Sequence, residues 1–263
     1  MRIRKNCLLL SIMILLGCSS KVTAFTGEEI VALLGDSMTW IGGNDCEKET
    51  GWSHYLKEAF PSATIDMYAR SGATWTNTRM TKGNVKAYSV VLDNENVLYN
   101  QILRLINASS SNPHKTPDLI ILFAGANDAL YERRRPGLFN EKALPEGSVE
   151  NCKPFNYTTL SSSVELGCRL LKSHFPDSRI ILVTPVEMSR VLPSKINRVG
   201  DVIEKTGAKL GIEVLRADKN VDIRHEEEKT KPYKNTYDGI HSNPAGARLI
   251  ANYIIENLSQ KPD

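Results

Sequence analysis

The chain has 263 residues, 41% of them hydrophobic and 24% charged, and a formal net charge of +3. That balance suits one α/β domain with a sizeable core and excludes a low-complexity chain. The positive excess resides at the N-terminus: without Arg2, Arg4 and Lys5 the chain is neutral, which leaves no electrostatic field for nucleic acid.

Those three basic residues precede an apolar run from Cys7 to Leu16, too short to span a bilayer but suited to the hydrophobic core of an export signal. The run ends in Leu15-Leu16-Gly17-Cys18, which resembles the lipobox of bacterial lipoproteins. The resemblance implies a signal peptide over 1–17, a lipid attached at Cys18, a tether over 18–27 and a single domain over 28–260, anchored to a membrane rather than spanning it. Ser19 after the cysteine resembles the signal for the outer membrane of a diderm bacterium. The alternative is an ordinary secretory signal cut nearer Ala24.

In chain order, short runs rich in β-branched residues predict strands at Ile30 to Leu34, Thr64 to Tyr68, Leu119 to Phe123, Ile180 to Val183 and Ile212 to Leu215. Helical periodicity predicts helices near Trp52 to Phe60, Val97 to Ile106, Leu160 to His174 and Ser194 to Leu210. After Asn243 and Pro244, the residues Leu249, Ile250, Tyr253, Ile254 and Leu258 mark one more apolar helical face. Alternation of this kind argues for a parallel sheet covered on both faces, whose ligands bind outside the carboxyl ends of the strands.

The turns that follow those strands are therefore where chemistry is expected. They read Gly35-Asp36-Ser37, Arg70-Ser71-Gly72 and Gly125-Ala126-Asn127-Asp128, and near the C-terminus comes Asp238-Gly239-Ile240-His241. Singly, each is ordinary turn or capping chemistry. Together and in this order they resemble the SGNH (GDSL) hydrolases, serine esterases and acetyl transferases with a three-layer α/β/α flavodoxin-like fold around a parallel sheet of about five strands. The resemblance runs from Ile30 to Leu258 and implies Ser37 as nucleophile, Asp238 and His241 as the rest of a triad, and Ser37, Gly72 and Asn127 as oxyanion-hole donors.

Elementary chemistry agrees with those roles. A serine hydroxyl needs an imidazole to take its proton, and the imidazole needs a third group to fix its tautomer. The developing oxyanion needs donors already in place, here the backbone N–H groups of Ser37 and Gly72 and the side-chain amide of Asn127. No His-x-His or His-Glu-x-x-His motif and no cysteine spacing suits a metal, and no cofactor is expected.

The substrate is expected to be an acetylated or other short-acyl ester, with a carbohydrate as its carrier. Trp40, three residues after Ser37, and Trp75, three after Gly72, could line a sugar site. The polar insertion from Tyr131 to Tyr157 is expected to overhang the site, with Arg133, Arg134 and Arg135 either meeting a substrate carboxylate or lying in a solvated loop. Two other readings use the same residues: an O-acetyltransferase acting on a polysaccharide, and a non-catalytic carbohydrate-binding surface lipoprotein.

Two further expectations concern residues outside those motifs. Cys168 falls on an apolar helical face and reads as core, whereas Cys46 and Cys152 lie in loops and are the expected disulfide pair of an exported chain. Asp222-Ile223-Arg224-His225 repeats the Asp-x-x-His spacing, but the charged run that follows His225 predicts a mobile, solvated histidine rather than a general base.

Overall fold

In the computed structural model, residues 25–76, 97–141, 144 and 158–259 are described. The signal segment, Cys18, Cys152 and most of the 131–157 insertion lie outside the described residues. Five strands, β1 (Ile30–Gly35), β2 (Thr64–Met67), β3 (Leu119–Phe123), β4 (Arg179–Val183) and β5 (Glu213–Leu215), form one sheet in the order β2-β1-β3-β4-β5, every pair parallel. The helices are α1 (Ser37–Trp40), α2 (Trp52–Ala59), α3 (Leu98–Ser111), α4 (Ala126–Leu130), α5 (Leu160–His174), α6 (Pro193–Leu210), α7 (Ala217–Asn220) and α8 (Pro244–Ser259).

Alternation along the strands builds the three layers. Leu33, Ile121 and Ile181 face α2 and α8, meeting Trp52, Leu56, Ile250 and Ile254. Ala32, Leu34, Ile120 and Leu122 face α3, α5 and α6, meeting Ile102, Leu105, Val164 and Ile203. Both faces of the sheet are thus covered, which is why its central strands are continuously apolar. The helix ends follow local rules: Thr159 Oγ1 accepts from the Ser162 amide at the start of α5, Gly211 closes α6 in a left-handed conformation, and Asn243 Oδ1 accepts from the Gly246 amide at the start of α8.

Strand order reverses between β1 and β3, so the two connections leaving their carboxyl ends diverge and open a crevice. Gly35 pairs with Phe123, which sets the Ser37 turn and the Asn127 turn side by side on that edge. From α3, Gln101 clamps the last residue of β1: its Oε1 accepts from the Gly35 amide and its Nε2 donates to the Gly35 carbonyl, both at 2.9 Å. Gln101 is buried with the strand end, where its Oε1 serves the Gly35 amide and its Nε2 shares the Gly35 carbonyl with the Arg70 amide at 3.1 Å. Gln101→Leu removes the side-chain partner of the Gly35 amide and is expected to destabilise the fold by roughly 1–3 kcal/mol, read by denaturant unfolding; a loss below about 0.5 kcal/mol would show that the clamp is dispensable.

Candidate active site

Ser37 opens α1 immediately after β1, with Asp36 as the cap: Asp36 Oδ1 accepts from the Met38 amide at 3.0 Å. The helix is only four residues long, so Ser37 is held by the turn and the strand end more than by the helix. Its hydroxyl lies 3.0 Å from His241 Nε2, and His241 Nδ1 lies 2.7 Å from Asp238 Oδ2. An ionised carboxylate only accepts, so Nδ1 carries the imidazole proton and Nε2 is the lone-pair nitrogen facing Ser37.

The short Asp238–His241 turn is rigid for local reasons. Asp238 Oδ1 accepts from the amides of Ile240 and His241 at 2.9 and 2.7 Å, which folds the carboxylate back under its own imidazole. Burial pushes the Asp238 carboxyl up, but the His241 amide and imidazole and the Ile240 amide outweigh it and hold Asp238 below the usual carboxylate range. The acid therefore stays ionised, and the imidazole oriented, well into the acidic range. Gly239 has φ +85°, and a Cβ there would meet Ser189 Oγ at 2.3 Å; its carbonyl accepts from the Ser189 amide at 2.8 Å. Ser242 Oγ donates to the Thr50 carbonyl at 2.6 Å, tying the other side of the turn to the segment before α2.

Beneath the turn lies a carboxylate that the sequence did not mark. Glu228 is fully buried; its Oε1 accepts from the Asn235 amide at 2.7 Å and its Oε2 from the Thr236 hydroxyl, which in turn accepts from the Gly239 amide at 3.0 Å. Glu228 belongs to a 3-10 turn over His225–Glu228, and the expectation of a mobile, solvated His225 is corrected. His225 is buried as well: its Nδ1 donates to the Met188 carbonyl at 2.7 Å and its amide to Glu187 Oε2 at 2.8 Å. It is a packed core histidine. The charged residues around it hid two inward-facing positions that the sparse helical turn selects.

The other two turns meet across the crevice. Gly72 adopts φ +78°, and Asn127 at the head of α4 donates from Nδ2 to the Ala73 carbonyl at 3.0 Å, which sets its amide beside the Gly72 loop. Next to Asn127, the buried Asp128 accepts from the Trp75 amide at 2.9 Å, the Thr76 amide at 3.1 Å and the Thr76 hydroxyl at 2.7 Å. This acid stitches the two loops together. It was legible only as a turn residue, because its partners come from 52 and 53 positions away.

The five expected substrate contacts divide. Trp40 is 40% exposed beside Ser37, but Trp75 is 4% exposed and packs in the core against Ile102 and Gly167, so it has no free face for a ring. Arg133 and Arg134 are exposed, whereas Arg135 is buried and donates from Nε to Thr76 Oγ1 at 2.8 Å, behind Asp128. It serves the loop network, not the crevice. Tyr237, which the motifs passed over, is 53% exposed and stacks on the His241 ring, with centroids 5.7 Å apart and planes 17° apart. Among the described residues, no three His, Cys, Asp or Glu side chains cluster as metal ligands would.

A parallel three-layer α/β fold with a hydroxyl, an imidazole and a carboxylate in line at its switch point defines the class. Residues 31–254 match the model of the GDSL-like lipase/acylhydrolase family, and the chain belongs to that family of ester hydrolases. Among solved structures it is similar to a GDSL-like lipase candidate from Bacteroides uniformis (20% identity, 89% of this chain and 97% of that one, TM-score 0.58). It is also similar to a catalytic mutant of an acetylxylan esterase from Geobacillus stearothermophilus (16%, 90% and 97%, TM-score 0.54) and to a member of the lipolytic G-D-S-L family from Veillonella parvula (14%, 86% and 96%, TM-score 0.52). At these identities the likeness is one of fold. No curated protein matches the chain by sequence.

Cys152, the expected disulfide partner of Cys46, lies outside the described residues; Cys46 itself is a buried free thiol. Its loop turns it inward, among Trp52, Tyr55 and Val31, where burial pushes the thiol up; Cys168 is likewise free, buried and pushed up to about 12. Both thiols should resist a maleimide in the native protein and react after denaturation, as read by peptide mapping. Recovery of a Cys46–Cys152 peptide from protein made in an oxidising compartment would contradict this placement.

Proposed function

We propose that the chain is an exported serine esterase that removes short acyl groups, acetyl above all, from a carbohydrate. The observation that carries the reading is the unbroken line from Ser37 Oγ through His241 to Asp238, at 3.0 and 2.7 Å. In this reading His241 Nε2 takes the Ser37 proton as Oγ attacks the ester carbonyl. The tetrahedral oxyanion is held by the Ser37 and Gly72 amides and by Asn127, whose amide nitrogen has two N–H groups and uses one on Ala73. The imidazolium then protonates the departing sugar alcohol, leaving an acyl-Ser37 ester. Water, deprotonated by the same imidazole, releases the carboxylic acid.

The carbohydrate part rests on the rim. Trp40 and Tyr237 flank Ser37 and His241 and are two of the three exposed large apolar residues among those described, the third being Leu192. Flat aromatic faces with polar tips suit a sugar ring better than they suit an acyl chain, which needs a long apolar trough. An acetylxylan esterase among the similar folds points the same way. Export and a lipid anchor at Cys18 complete the proposal, since a polysaccharide lies outside the cytoplasm.

The test is a substrate series. Aryl acetate should be turned over at least about tenfold faster than esters of eight carbons or more, and acetylated polysaccharides should release acetate. A preference for long acyl chains would overturn the carbohydrate reading while leaving the esterase standing.

A further inference from the structure

Two carboxyl groups lie fully buried behind the three oxyanion donors, and the triad uses neither. Asp36 directly precedes Ser37; Asp128 directly follows Asn127. Their surroundings are unequal. Asp128 has three donors from the Trp75–Thr76 segment, and the guanidinium of Arg135 bears on it electrostatically. Asp36 Oδ1 has the Met38 amide, while its Oδ2 is buried with no hydrogen-bond partner, although the Gly125 and Ala126 amides approach closely enough to favour a charge there.

We propose that the Asp36–Asp128 pair carries one negative charge, on Asp128, and that Asp36 is a positioning residue whose neutral carboxyl group keeps the oxyanion pocket able to accept charge. The proposal rests on the triad reading above and adds to it a requirement about the wall behind the pocket.

The physical argument is one of charge balance. One buried cation cannot serve two buried carboxylates, and the better-solvated acid keeps the charge. Burial, with the like charge of Asp128 added to it, pushes Asp36 up to about 7 against the opposing amides of Met38, Ala126 and Gly125. Burial raises Asp128 too, against Arg135, Thr76 and Trp75; what assigns the charge to Asp128 is its three hydrogen-bond donors and the nearby guanidinium, against the single donor to Asp36. Asp128 is the charged group that bears on Asp36; His241 and Arg70 engage its chain neighbours, His241 at 3.0 Å from the Ser37 hydroxyl and the Arg70 amide donating to the Gly35 carbonyl at 3.1 Å. In the transition state a negative charge grows on the oxygen held by the Ser37, Gly72 and Asn127 donors. An ionised Asp36, one residue behind Ser37 in a water-poor wall, would repel that charge; a protonated one does not.

The sign follows for stability as well. A carboxyl whose folded pKa is raised binds a proton that the unfolded chain has lost, so its contribution is fully present below the unfolded value near pH ~3.9 and is lost as pH rises to about 7.

The experiment compares kcat on aryl acetate for the wild type, Asp36→Asn and Ser37→Ala across about pH 6 to 9. The wild type should lose turnover on the alkaline side. Asparagine cannot ionise, so the ratio of kcat at high pH to kcat near neutrality should be at least about fivefold larger in Asp36→Asn. An alkaline limb unchanged in Asp36→Asn would overturn the proposal, with the triad reading intact as long as Ser37→Ala is inactive; activity in Ser37→Ala would overturn the triad reading and the proposal together. If Asp36→Asn does not fold, the wild type alone decides. Infrared difference spectra should show the carbonyl stretch of a buried protonated carboxyl group at about pH 6 and its loss by about pH 9, and the absence of that band overturns the proposal.

Discussion

A parallel sheet places the carboxyl end of every strand on one edge, and everything at this site depends on that constraint. The β1–β3 register pairs Gly35 with Phe123, so the turns bearing Ser37 and Asn127 emerge next to each other although 90 residues separate them in sequence. The third loop reaches the same edge by a different route. The turn carrying Asp238 and His241 precedes α8, which packs on α2 through Ile250, Ala251 and Ile254, and Ser242 is tied to Thr50 at the foot of α2. The helix pair on one face thus delivers the imidazole to a hydroxyl presented by the sheet.

Carboxylates do the fine positioning, each in a different electrostatic setting. Asp238 is partly exposed, collects amides from its own turn and stays charged; it orients His241. Glu228, beneath the same turn, is wholly buried and engages the Asn235 amide and the Thr236 hydroxyl. Asp128 joins the Gly72 and Asn127 loops with three hydrogen bonds, supported by Arg135. Asp36 has one hydrogen bond and an orphan oxygen. This graded series fixes three loops without a metal-type ligand cluster among the described residues, and it separates the group that must be charged from the one that must not.

Much of the fold was legible in the sequence because β-branched runs and 3.6-residue periodicity report burial directly: all five strands appear within one residue of the predicted bounds at each end, and the helices at 52, 98, 160 and 193 likewise begin where expected. The positions of Ser37 and Asn127 followed from the strands they terminate, and that of the Asp238–His241 turn from the apolar helical face that comes after it. What local pattern could not supply was direction. Cys46 and His225 sit in polar stretches yet point inward, Trp75 follows Gly72 yet packs against α5, and Arg135 looks like its two exposed neighbours until Asp128 is seen behind it. Each of these depends on a partner distant in sequence. Tyr237 went unmarked for the opposite reason: a lone aromatic in a polar turn has no periodicity, and only its stacking on His241 gives it a role at the rim.

The central claim is that Ser37 is a nucleophile because His241 activates it. Reaction with a fluorophosphonate, followed by peptide mass mapping, tests this without any assumption about the natural ester. The wild type and His225→Ala should each carry one adduct, on Ser37, and His241→Ala should label at least about 100-fold more slowly. An adduct on any other serine, or labelling that survives in His241→Ala and is lost in His225→Ala, would contradict the assignment.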